Sequence, residues 1–252
     1  MARRKHHNPE RRSWRGRSYK QGGKRVRQLR YSMGVYLGSG IAFLLGGLVM
    51  LFGRFLPLVA VTVTAFAKIA IVVFIVRNAL GIQQLPPNII VYGLALILSV
   101  YIAMPVLDDA FRAVTEANLA YRNFADWEEA GRRATQPLVA FLRRFTDPKQ
   151  LGFFMQSTAK IWGPEKAALI GETSLSVLVP SFLLSELTRA FEIGFLLYLP
   201  FMAIDIIVTT ILVALGMMQI QPTTIAIPFK LMLFVFVDGW TKIVQGLVLT
   251  YI

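Results

Sequence analysis

The chain has 252 residues, of which 55% are hydrophobic and only 16% charged, and it carries a formal net charge of +13. A soluble domain usually holds about 25% charged residues, so these few polar groups cannot cover the apolar surface, and lipid or partner subunits must do so. Cysteine is absent, which excludes disulfides, thiolate metal sites and thiol nucleophiles, and the two histidines, His6 and His7, sit side by side in a polar tail.

The positive charge is local. Residues 1–30 hold twelve Lys/Arg against Glu10 alone, whereas residues 31–252 carry 15 basic and 13 acidic groups. With no apolar period, residues 1–30 predict a basic disordered tail. Such a tail suits attachment to anionic lipid or RNA, or simply a solvated segment that helps set insertion topology. It is too long for an ordinary leader n-region, although Ile41–Phe52 could serve as the apolar core of a signal sequence.

From Val35 to Val76 the sequence is almost continuously apolar, interrupted by Arg54 and Lys68. A bilayer core takes about 20 helical residues, so this run predicts two short helices, or one broken near Gly53, Arg54 and Pro57. A Gly/Pro-punctuated turn over Arg77–Asn88 separates it from a second apolar span, Ile89–Val106, expected to end at Pro105. Together these form a region of hydrophobic helices over residues 31–106.

Residues 107–172 hold nine basic and nine acidic groups. Leu138, Phe141, Leu142 and Phe145 follow the i, i+3, i+4, i+7 spacing of an amphipathic helix. The segment reads as a small extramembrane helical unit, and its neutral balance favours the periplasmic side. The last region, 173–252, is apolar again. Ser174–Leu215 is interrupted by Glu186, Arg189, Glu192 and Asp205 and expected to bend at Pro180 and Pro200. Gly216–Pro222 is a turn, and Ile225–Ile252 a final helix or hairpin bearing Lys230 and Asp238. The fold class is therefore all-α: an integral membrane protein of kinked hydrophobic helical hairpins with a small extramembrane helical segment.

A charge at mid-bilayer costs at least about 2.5–3.5 kcal/mol, so it is paired or faces a wet cavity. Glu186, Arg189 and Glu192, at i, i+3 and i+6, can ladder along one helix edge, or pair with neighbouring subunits. Lys230 and Asp238 can share a helix face without touching, and a Lys–acid pair between different helices is the more economical account. Asp205 could serve a proton relay, but no second acid lies within a helical turn of it. No nucleotide-binding, hydrolase or zinc-protease motif is present, so neither catalysis nor a cofactor is expected. Met217 and Met218 stand together on a turn, where flexible thioethers from several copies could close a pore around a passing chain.

Several runs occur in an order that resembles one family. They are Thr64-Ala-Phe-Ala-Lys-Ile69, Arg77-Asn-Ala-Leu-Gly81, Pro86-Pro-Asn88, Gly93-Leu-Ala-Leu96 and Met104-Pro-Val106. Further on come Ser185-Glu-Leu187, Ile193-Gly-Phe195, Pro200-Phe201 with Asp205, Leu215-Gly-Met-Met218, Pro228-Phe-Lys-Leu231 and Val237-Asp-Gly-Trp240. Together they look like the SctR/FliP family of type III secretion export subunits, over residues 41–252. Ile82–Asn88, Tyr92–Leu98 and Gly246–Tyr251 are more similar to the injectisome branch than to the flagellar one.

That resemblance implies a non-enzymatic, multi-pass subunit of the bacterial inner membrane. It implies a homo-oligomer with SctS- and SctT-like subunits and SctU- and SctV-like components, through which unfolded secreted proteins pass, with no nucleic acid as partner. It places a methionine gasket at Met217, Met218 and Gln219, the last often Met in flagellar members. It carries subunit contacts onto Glu186, Asp205, Phe141 and Phe154, and the embedded charges Arg189, Lys230 and Asp238 join them as candidates. It further implies helices packed against neighbouring subunits and lifted largely out of the bilayer plane. A secondary transporter or channel coupled through Asp205 or Glu186 is the competing class, weakened by the lack of an internal repeat.

Overall fold

In the computed structural model, residues 59–82 and 86–252 are described, all within the unit Leu58–Ile252. The basic tail, the leader-like run and the proposed break at Gly53, Arg54 and Pro57 lie outside them. In chain order the helices are α1 (Phe66–Ala79), α2 (Asn88–Thr115), α3 (Phe124–Phe145), α4 (Pro148–Trp162), α5 (Pro164–Ala167), α6 (Leu175–Ala214), α7 (Pro222–Phe236) and α8 (Gly239–Leu249). No strand occurs among the described residues.

Helix α1 is the centre of the core. Its apolar residues fall on several faces, and Ile69, Val72, Val73, Val76 and Ala79 are all buried, chiefly against α6. Helix α2 buries only the stripe Val91, Ala95 and Ser99, spaced i, i+4, i+8, and leaves Ile89, Ile97 and Tyr101 open. The connection into it is held by Arg77, whose Nη1 donates to Asn88 Oδ1 at 2.6 Å. The helix does not stop at Pro105 as expected but runs ten residues further, to Thr115. Proline removes one N–H, and the remaining helical bonds on either side carry the helix past it.

The charged segment forms α3, α4 and the single turn α5. On α3 the expected apolar stripe turns inward: Leu142 and Phe145 are buried, and Leu138 and Phe141 pack against the same core. Its outer face is laced by Glu129, which accepts from Arg132 and Arg133. The Arg133 hydrogen bond, then that of Arg132, holds the Glu129 carboxyl below its ordinary value. Asp147 begins α4 by accepting from Lys149 N–H at 2.7 Å, with Pro148 in the first turn, a strong start signal.

Helix α6 spans 40 residues and runs unbroken through both Pro180 and Pro200, the two positions at which bends are expected. Around Pro180 the buried Val177, Leu178, Ser181 and Phe182 fix the backbone by packing, which outweighs one missing donor. At 1.5 Å per residue the helix is about 60 Å long, twice the roughly 30 Å hydrocarbon thickness. Only α2 and α6 are long and apolar enough to cross a membrane among the described residues, with α7 and α8 a third candidate if taken as one span. The bend falls between those two, 60° at Val237–Asp238.

Candidate functional site

The embedded charges gather into two nodes that tie distant parts of the chain together. At the first, Lys68 Nζ on α1 lies 3.2 Å from Glu186 Oε2 on α6, and neither side chain has any solvent exposure. The Tyr251 hydroxyl donates to the same carboxylate, and Lys68 Nζ stands 3.6 Å from the centre of the Tyr251 ring. That ring stacks on Phe141 and meets Phe145 edge-on. Arg189 completes the node from one turn along α6, 3.5 Å from Glu186, while its Nη1 donates to the Phe145 carbonyl at 2.9 Å. Ser185, beside Glu186, accepts from the Asp147 N–H at 2.9 Å and donates to the Ser181 carbonyl. Helix α6 is thereby pinned to the α3–α4 corner.

At the second node, Lys230 on α7 donates to Asp205 Oδ2 on α6 at 2.7 Å and to the Ala79 carbonyl at the end of α1 at 2.9 Å. Lys230 is buried and Asp205 about 29% exposed. A buried ion pair is sustained only when further hydrogen bonds satisfy the remaining donors, and the Ala79 carbonyl does this for Lys230.

These positions correct two local expectations. Glu186, Arg189 and Glu192 do not form a continuous ladder: Glu192 is exposed and makes no ion pair among the described residues. Lys230 and Asp238 do not share a role either, since Asp238 sits at the bend and accepts from the Thr241 hydroxyl. The pair between different helices is the arrangement found. Phe141 and Phe154 are both half-buried against the core, Phe154 edge-on to Phe153. Sequence reasoning missed Lys68, Ser185, Ala79 and Tyr251 as members of these nodes; the signal for Lys68 was a lone cation in an apolar run.

The Met217–Gln219 turn lies apart from both nodes. Gly216 adopts φ 73°, which ends α6, and Met217 N–H donates to the Leu212 carbonyl. Met218 is 82% exposed and Met217 and Gln219 are also open, so the turn projects from the end of α6 with its thioethers uncovered. Among the described residues no cluster of His, Asp or Glu is placed to hold a metal ion.

Known proteins supply the remaining comparison. The family model described as "FliP family" matches residues 48–247. The chain is 52% identical over 196 residues to "Probable translocation protein y4yL" of Sinorhizobium fredii, covering 78% of this chain and 88% of that protein. It is 46% identical over 197 residues to "Yop proteins translocation protein R" of Yersinia pestis, covering 78% and 90%. To "Hypersensitivity response secretion protein HrcR" of Ralstonia nicotianae it is 44% identical over 198 residues, covering 78% and 91%. The ordered motifs from Thr64 to Trp240 fall inside the matched region, and the chain belongs to the FliP family.

Proposed function

We propose that this chain is the R-type subunit of a type III protein secretion export apparatus in a bacterial inner membrane. It assembles with further copies of itself and with SctS- and SctT-like subunits around a conduit for unfolded proteins. SctU- and SctV-like components complete the export machinery. The observation that carries this reading is α6: a helix about 60 Å long, too long for one bilayer crossing, with an open apolar face that includes Phe195, Ile206, Ile207 and Ile211. An apolar surface of that extent needs protein as well as lipid to cover it. The names of the relatives, which speak of translocation and secretion, support the same assignment and favour the injectisome branch over the flagellar one.

In this reading Met217, Met218 and Gln219 line the narrowest point of the conduit. The α3–α5 segment stands on the periplasmic side. Glu186, Arg189, Lys230 and Asp205 act on subunit contacts by fixing the helices that carry the contact faces, while the open sides of Phe141 and Phe154 and the bend at Asp238 meet neighbours directly. The chain performs no chemistry of its own.

The test is co-expression of the tagged chain with the SctS- and SctT-like proteins of the same locus, followed by detergent extraction and sizing. Co-elution as one multi-copy complex is expected, together with restored secretion in a strain lacking its own R subunit. A chain that elutes alone and fails to restore secretion overturns the proposal.

A further inference from the structure

Helix α8 is attached to the body of the protein at its two ends and, between them, through the buried side chains of Ile243 and Leu247. At the start, the chain bends 60° at Val237–Asp238, with Asp238 in the left-handed region at φ 53°. Gly239 follows, and the Phe234 ring occupies the space where a Cβ would stand. Left-handed backbone next to a glycine in close contact is the geometry of a pivot rather than of a continuous helix. At the other end, Tyr251 is only 8% exposed, seated on Glu186, Lys68, Phe141 and Phe145. Arg144 reaches over from α3 to the Ile252 carbonyl.

Between these ends lies an apolar groove of about 440 Å³, with Val76, Ile193 and Leu197 on one wall and Ile243, Gly246 and Leu247 of α8 on the other. Unfilled space along an interface forfeits dispersion contacts, so the middle of α8 rests on the core through Ile243 and Leu247 alone, and its two ends carry the rest of the attachment. The chemistry at Glu186 makes release of one end reversible. With Tyr251 withdrawn, Glu186 still has Lys68 at 3.2 Å and Arg189 at 3.5 Å, so no buried charge is left without a partner.

We propose that α8 is a hinged strap, pivoting at Asp238–Gly239 and latched by Tyr251 on Glu186, whose release opens the apolar groove along α6. Tyr251 is in this sense a positioning residue: it sets the closed state and contributes nothing else to the surface. The proposal holds for the single chain and does not depend on what the chain assembles with.

The chain has no cysteine, so single cysteine reporters are clean. Leu247→Cys on the strap and Val76→Cys on the groove wall report opening, and Ala95→Cys on α2, fully buried away from α8, reports the body. Each is placed in the full detergent-solubilised chain, with and without Tyr251→Phe, and its reaction rate with N-ethylmaleimide is measured. Tyr251→Phe keeps the ring and removes one charge-assisted hydrogen bond, a loss that corresponds to about a tenfold or larger shift in the open population. The expected result is an acceleration of about tenfold or more at positions 247 and 76, with position 95 unchanged. Unchanged rates at 247 and 76 overturn the latch. An equal rise at all three positions also overturns it, because Tyr251 would then support the whole core rather than the strap.

Discussion

Lys68 and Glu186 are 118 positions apart in the chain and meet as a fully buried pair, Nζ to Oε2 3.2 Å. The contact fixes α1 against α6 at one longitudinal position, since a slide of one helical turn would leave the Lys68 cation without a carboxylate and Glu186 with only Arg189 on its own helix. Attraction between the two is offset in large part by their desolvation. The pair therefore contributes more to choosing one helix register than to overall stability.

Removing one member leaves the other charged and buried, which costs about 3–5 kcal/mol. Lys68→Met and Glu186→Gln should each lower the thermal midpoint of helix loss strongly, followed by circular dichroism in detergent. The double variant should lose less than the two single losses combined, by at least about 1 kcal/mol. Simple additivity would show that the two residues are not coupled.

The second node gives an asymmetric expectation. Lys230→Met leaves both the Ala79 carbonyl and Asp205 without their donor, whereas Asp205→Asn keeps an acceptor for Lys230 at a partly exposed site. Lys230→Met should cost about 3–5 kcal/mol, and Asp205→Asn, which removes the countercharge of buried Lys230 but keeps an acceptor, a smaller loss of about 1–3 kcal/mol. Equal losses in thermal unfolding would argue that the Ala79 contact contributes nothing.

Two glycines of α8 separate backbone need from space. A Cβ at Gly239 would run into the Phe234 ring, while one at Gly246 meets nothing within 4 Å. Gly239→Ala is expected to destabilise by about 1–3 kcal/mol through forced repacking. Gly246→Ala, in a helix interior, should be neutral or stabilising by up to about 1 kcal/mol. Limited proteolysis of the detergent-solubilised chain would rank the two, and faster cutting of the Gly246 variant would refute the contrast.

How much of this was legible in the sequence follows from the range of each interaction. The apolar run Ser174–Leu215, the stripe Leu138–Phe145 and the turn at Gly216 are local patterns, and each falls where the spacing puts it. Charge partners are not local: nothing near Lys68 in sequence indicates Glu186, and nothing near Lys230 indicates Asp205 and the Ala79 carbonyl. Family resemblance pointed to Glu186 and Asp205 as special without naming what they touch. Pro105 misled because a propensity rule was set against the helical bonds on either side of it, and the helix runs on to Thr115. Tyr251 gave no signal, since a tyrosine near the end of an apolar run reads as an ordinary interfacial residue.

The methionine turn yields the prediction that bears most directly on transport. Met217 and Met218 are exposed and support nothing in the protomer, so Met217→Ala with Met218→Ala should leave stability within about 0.5 kcal/mol. In the multi-copy complex proposed above, the same change would remove two flexible apolar side chains from every copy around the conduit, where they would otherwise exclude water and ions. Cells carrying the double variant should admit small ions or dyes that the unaltered complex excludes, while still secreting protein. Gln219→Met, which adds a thioether at the third position, should preserve or tighten the barrier. An unchanged barrier in the double alanine variant, with the complex assembled and expressed at normal levels, would remove the turn from the gate.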